Sequence, residues 1–164
     1  DQTLLSNAAM LYDSWRALEI LAKHPPIDPH RIVIMGFSKG AVAALYSAGA
    51  HGIMTLNDFK SIDGDTRMGV RSIPVQLGPE RAARLACVFM TIPQLAVIGL
   101  LLLWNRPLHA IAVGGLVAAQ VMLMPRLLAA PKERAPWYNG TGVTLFVSGM
   151  LVTAFALRPL VTGS

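Results

Sequence analysis

The stretch LACVFMTIPQLAVIGLLLLW, Leu85 to Trp104, decides the fold, because none of its side chains carries a charge. An α-helix needs about 20 apolar residues to cross some 30 Å of hydrocarbon, and soluble core helices seldom run so far uncharged. Pro93 would break a soluble helix. A membrane helix tolerates it when neighbouring groups satisfy the freed backbone. Two further runs of the same kind follow, Leu108 to Met124 and Trp137 to Leu157. Three membrane spans are therefore expected.

The whole composition agrees. The chain has 164 residues, 54% of them hydrophobic and 14% charged, against about 25% charged in a soluble domain. Its mean hydropathy is +0.51. The net charge of +5 would suit nucleic acid in another setting. Here the bases flank apolar runs, so the expected partner is a lipid bilayer and no nucleic acid. Lys60, Arg67, Arg71, Arg81 and Arg84 precede the first run, Arg106 alone separates the first two, and Arg126, Lys132 and Arg134 precede the third. The positive-inside rule puts the 60–84 and 126–136 loops in the cytoplasm, and Trp104, Trp137 and Tyr138 fall where aromatic belts sit. The lone Cys87 excludes a disulfide within the chain and reads as an apolar filler. The chain begins at Asp1 with no basic segment ahead of an apolar one, so we expect a fragment without a signal peptide.

Upstream of the first run lies GAHGIMTLNDFKSIDGDTRMGVRSIPVQLGPERAARLA, Gly49 to Ala86. On a regular helix Asp58, Ser61 or Ile62, and Asp65 fall at i, i+3/i+4 and i+7. The two carboxylates then share one face, two turns apart. Asn57 borders that face, Asp63 lies away from it, and Gly64 disturbs regularity. Carboxylates at a membrane edge, followed by Arg67 and Arg71, suit a diphosphate bound through Mg²⁺. A solvated acidic helix end fits the spacing equally well.

This segment resembles the second aspartate-rich motif of the UbiA family of membrane prenyltransferases. NDFKSIDGD followed by GVRSIPVQLG is similar to the chlorophyll and bacteriochlorophyll synthase branch, and HGIMTLNDFK leans to the bacteriochlorophyll side. Most of the family carries aspartate where this chain has Ser61. APWYNGTGVTLFVSGMLVTAFALR (135–158) fits the end of the same enzymes. The resemblance covers about residues 45–158, the last four of nine expected helices. It implies a mainly α fold, a multi-helix integral membrane bundle in the inner photosynthetic membrane. It also implies Mg²⁺ as cofactor, geranylgeranyl or phytyl diphosphate as donor, and (bacterio)chlorophyllide as the carboxylate that is esterified. Asp58, Asp65 and Asp63 match metal positions; Asn57, Lys60, Arg67 and Arg71 fall on the substrate side. The family's first aspartate-rich motif is absent, so the chain alone is expected to be inactive.

The first third reads differently. Leu4, Ala8, Leu11, Trp15, Leu18 and Ala22 form an amphipathic stripe that predicts a helix over 4–23. HPPIDPH (24–30) stops it, and RIVIM (31–35) suits a buried strand. GFSKG (36–40) fits G-x-S-x-G with a strand before it and a helix after. The string IDPHRIVIMGFSKGAVAALYSA resembles the dienelactone hydrolase branch of the α/β-hydrolases, with Ser38 at the nucleophile position. We therefore expect a short αβα fragment of α/β-hydrolase type over 1–48, a prenyltransferase-like piece over 49–164, and a join within Ala43–Gly49. The alternative function is a serine hydrolase fragment. Of the histidines after Ser38, His51 and His109, neither follows a further strand, and a serine without its base is a poor nucleophile.

Overall fold

The structure, a computed structural model, describes residues 39–157. It contains α1 (Lys39–Asp58), α2 (Ile62–Met68), α3 (Ile73–Leu77), α4 (Pro79–Leu103), α5 (Pro107–Ala129) and α6 (Pro131–Leu157), with no strand among the described residues. The expected helix over 4–23, the strand over 31–35 and the turn at Ser38 lie outside the described residues. The four helices expected after them are α1, α4, α5 and α6; α2 and α3 are short insertions between the first two.

The three long helices α4, α5 and α6 are each long and apolar enough to cross a membrane. Each opens on a proline, Pro79, Pro107 or Pro131, whose missing N–H costs nothing in the first turn. α4 and α6 begin about a turn and a half ahead of the apolar runs, because residues such as Glu80, Arg81, Lys132 and Glu133 are helical yet too polar to read as span. α2 ends at Gly69 and α4 follows Gly78, with φ of 71° and 77°. Gly69 is a left-handed helix cap and Gly78 is extended at positive φ, and glycine adopts both without a Cβ penalty.

One stripe of each long helix faces inward. In α6 it is Ala135, Tyr138, Gly142, Phe146, Gly149, Thr153 and Ala156, in steps of three and four, the spacing of a packed helix seam. In α5 it is Ala110, Val113, Val117, Gln120, Met124 and Leu127. The opposite faces present Leu95, Leu102, Ile111, Met122 and Leu151 outward, as lipid contact requires.

Close packing between α1 and α4 depends on small residues, since membrane helices gain nothing from hydrophobicity against each other. A Cβ on Gly52 would lie 2.6 Å from the Ala86 carbonyl oxygen. A Cβ on Gly49 would lie 3.4 Å from the Phe89 carbonyl oxygen, the group that Pro93, four residues on, cannot bond.

α1 runs unbroken through Ala43–Gly49. Its Val42 and Tyr46 belong to the same core as the inward residues of α4, α5 and α6. The Tyr46 ring meets Phe146 edge-on at 5.5 Å, and its hydroxyl lies 2.7 Å from Thr153 Oγ1. Thr153 spends its one hydrogen on the Gly149 carbonyl at 2.8 Å, so Tyr46 is the donor of the pair. Val42, Ala43, Tyr46 and Ser47 are thus buried against the bundle.

Two glutamines are also wholly buried. Gln94 Nε2 donates to Gln120 Oε1 at 3.0 Å and to the Met90 carbonyl at 2.8 Å. Polar groups in a membrane interior are costly unless bonded, and these bonds satisfy one amide atom of each side chain while Gln94 Oε1 and Gln120 Nε2 have no partner among the described residues. The end of the bundle away from the 104–106 loop collects α2, α3, the end of α5 and the starts of α4 and α6.

Candidate functional site

The aspartate segment sits at this polar end. It is not the single helix that the i/i+7 spacing suggests. α1 stops at Asp58 and a tight turn follows, with Phe59, Lys60 and Ser61 N–H groups reaching the carbonyls of Leu56, Asn57 and Asp58 at 3.4, 3.4 and 3.1 Å. Within this turn Phe59 is 2% exposed and belongs to the core. α2 then restarts at Ile62.

Asp58 and Asp65 nonetheless remain neighbours. The Ser61 hydroxyl is 3.0 Å from the Asp58 carbonyl oxygen and 3.0 Å from Asp65 Oδ2, with one hydrogen to share between them. Partial burial, and next the negative charge of Asp65, push the Asp58 carboxyl above the ordinary aspartate value. A carboxylate pair that disfavours its own charge is a place where a cation is welcome.

The other candidates have different partners. Asp63 is exposed and accepts from Lys132 Nζ of α6 through both oxygens, at 2.9 and 3.2 Å. That hydrogen bond, and then the lysine charge, hold its carboxyl below the usual range. Asn57 accepts from Asn139 Nδ2, also on α6, at 3.1 Å. Lys60, Arg67 and Arg71 are exposed, and no ion pair engages them among the described residues. Ser38 lies outside the described residues.

Sequence reasoning missed Asn139, and it took Lys132 only as a topological charge. Their spacing of seven, which puts both on one face of α6, was the available signal. A cleft of about 280 Å³ opens between the starts of α4 and α6, lined by residues that include Glu80, Arg81, Lys132 and Glu133. None of the three aspartates lines it.

Among the described residues no three His, Cys, Asp or Glu side chains converge on a metal-sized site. Asp58 and Asp65 alone suit a hard cation of the Mg²⁺ type, which takes one or two carboxylates and completes its shell with water and phosphate oxygens.

A helical membrane bundle with a carboxylate pair at its polar end has known relatives. The UbiA prenyltransferase family matches residues 38–149, and the chain belongs to that family. The bacteriochlorophyll synthase 33 kDa chain of Cereibacter sphaeroides is 58% identical over 119 residues, 73% of this chain and 39% of that protein. The bacteriochlorophyll synthase 34 kDa chain of Chloroflexus aurantiacus is 45% identical over 149 residues, 91% of this chain and 46% of that protein. The chloroplastic chlorophyll synthase of Oryza sativa subsp. japonica is 37% identical over 116 residues, 70% of this chain and 31% of that protein. The chain thus spans less than half the length of these relatives. No solved structure matches it. The family match opens at Ser38, ahead of the expected onset near residue 45, and the Chloroflexus match takes in most of the first 48 residues. Neither a hydrolase fragment nor a chimera finds support in these similarities.

Proposed function

We propose that the chain is part of a membrane prenyltransferase of the (bacterio)chlorophyll synthase type, and that Asp58 and Asp65 form half of its diphosphate site. The observation that carries the reading is that Ser61 ties the Asp58 main chain to the Asp65 carboxylate, which keeps the two aspartates neighbours at the polar end of an apolar bundle. Both would hold Mg²⁺, which neutralises charge on the diphosphate. Lys60, Arg67 and Arg71 donate to the remaining phosphate oxygens, as charge-assisted hydrogen bonds do. The prenyl tail, geranylgeranyl or phytyl, follows the apolar helices into the membrane. In transfer, the C–O bond to diphosphate breaks with its electron pair leaving on diphosphate. The (bacterio)chlorophyllide carboxylate oxygen then bonds the prenyl carbon, giving the ester. In this reading Asp63 is a bracket to Lys132 and not a metal ligand. The 60–84 and 126–136 segments, largely helical in the structure, face the cytoplasm of a photosynthetic inner membrane.

The sequence carries one aspartate-rich motif where the family uses two. Removing one charged side of an ionic site typically costs about 3–5 kcal/mol, a hundredfold or more in affinity. Binding about millimolar, without transfer, is therefore the expectation for this chain alone. The test is titration of geranylgeranyl diphosphate into detergent-purified protein with and without Mg²⁺. Weak, Mg²⁺-dependent binding that Asp58→Asn abolishes is expected. Binding of equal strength in the variant would return the aspartates to the class of solvated helix-end charges.

A further inference from the structure

The aspartate segment is anchored in the core at Phe59, with Ile62 packed against it, but little beyond them holds α2 in place. α2 is seven residues long, has no buried residue, and its N-cap Ser61 makes no side-chain capping bond. Isolated helices of that length are not stable in water. Two of its tethers come from far along the chain. Asn139 donates to Asn57 across 82 residues of sequence, and Lys132 to Asp63 across 69. Asn57 stands on one side of the tight turn at 59–61 and Asp63 on the other. Lys132 and Asn139, seven residues apart, are about 10 Å from each other along one face of α6.

We infer that Lys132 and Asn139 are positioning residues. Together they bracket the turn from both sides and so fix Asp58 relative to Asp65. The inference rests on the diphosphate reading of that pair and assigns the α6 face a part in it. It also assigns Asn57 a role. Its carbonyl oxygen is taken by Asn139, so its own Nδ2 is what remains to face a ligand, as a donor to phosphate oxygen.

The first measurement is amide hydrogen exchange on the whole detergent-solubilised chain. An exposed ion pair and a neutral side-chain hydrogen bond are each weak. Lys132→Met and Asn139→Leu should therefore each speed exchange over residues 57–68 by about two- to fivefold, and by about tenfold together. Exchange in α4 and α5 should not move. Lys132→Asp combined with Asp63→Lys should restore the protection, as should Lys132→Arg. Unchanged exchange over 57–68 in the double variant would overturn the bracket.

The second measurement is Mn²⁺ binding in the presence of inorganic pyrophosphate, followed by electron paramagnetic resonance. Lys132→Met should weaken it several-fold, and the charge-exchanged pair should recover it to within about twofold. Altered exchange with unaltered Mn²⁺–pyrophosphate affinity would overturn the positioning role. Failure of the exchanged pair to recover affinity would also overturn it, making Lys132 a direct phosphate contact. If neither the wild type nor Asp58→Asn binds Mn²⁺–pyrophosphate, the diphosphate reading and the positioning role fail together, while the bracket is still judged by exchange alone.

Discussion

The bundle interior and the 57–71 segment are held by opposite means. Inside the bundle, Ala86, Met90, Val97, Leu101 and Phe146 are fully buried, and Gly52 lets two backbones come close. At the polar end every residue from Asp63 to Arg71 is exposed except Asp65, and α2 buries nothing. Shape holds the first region. The second hangs on Phe59 and Ile62 at one edge of the core and on a few hydrogen bonds reaching in from α6. A substitution that changes volume should therefore matter in the bundle, and one that changes charge or hydrogen bonding should matter at the polar end.

The largest effect expected from this contrast is at Gly52. A Cβ there would press on the Ala86 backbone carbonyl, which cannot turn aside as a flexible side chain could. Gly52→Val should destabilise the bundle by about 3 kcal/mol, the upper range of overpacking. Denaturant titration in mixed micelles measures it, and a loss well under 1 kcal/mol would show that α1 is not packed as described.

The Gln94–Gln120 pair tests whether hydrogen bonding also matters inside. Gln94→Leu leaves Gln120 Oε1 without its donor, and an orphaned buried polar group costs about 1–3 kcal/mol. Adding Gln120→Leu should recover part of that loss. Additive losses in the double variant would mean that the two side chains do not interact.

The smallest effect is at Asp63. Its carboxyl is held below the ordinary value of 3.8 by Lys132. Its contribution is therefore present above the unfolded value and lost as the pH falls from there through the lowered one. Asp63→Asn should remove that acid-side drift and leave unfolding at neutral pH nearly unchanged, because both side chains are more than half exposed. A large loss at neutral pH would place Asp63 in the bundle's own packing.

The same contrast explains what the sequence could show. The three spans were legible because composition and period alone specify a lipid-facing helix. The α4 and α6 starts were not, since Pro79–Arg84 and Pro131–Pro136 are helical by proline placement and not by hydropathy. The carboxylates of Asp58 and Asp65 were legible as a pair, but the break between them was not. Phe59 lies in the core at that break, a tertiary placement that spacing along the chain does not carry. Asn139 and Lys132 were invisible as site residues because their partners lie 82 and 69 residues away. The reading of residues 1–48 as part of another protein rests on a short serine motif, GFSKG, with an expected strand and DPHRI ahead of it, all of which lies outside or at the edge of the described residues. Within the described part of that stretch, Tyr46 meets Phe146 and bonds Thr153, contacts between distant parts of the chain that no local motif announces.

The most direct test is the titration of the Asp58 carboxyl by ¹³C NMR on aspartate-labelled protein, in the wild type and in Asp65→Asn. Burial and the neighbouring carboxylate raise its pKa, so Asp65→Asn should lower the midpoint toward the ordinary value without reaching it. Saturating Mg²⁺ with pyrophosphate should lower it further in the wild type, because a bound cation favours the charged form. A midpoint that ignores both the Asp65 substitution and Mg²⁺–pyrophosphate would mean that the two aspartates do not share a site.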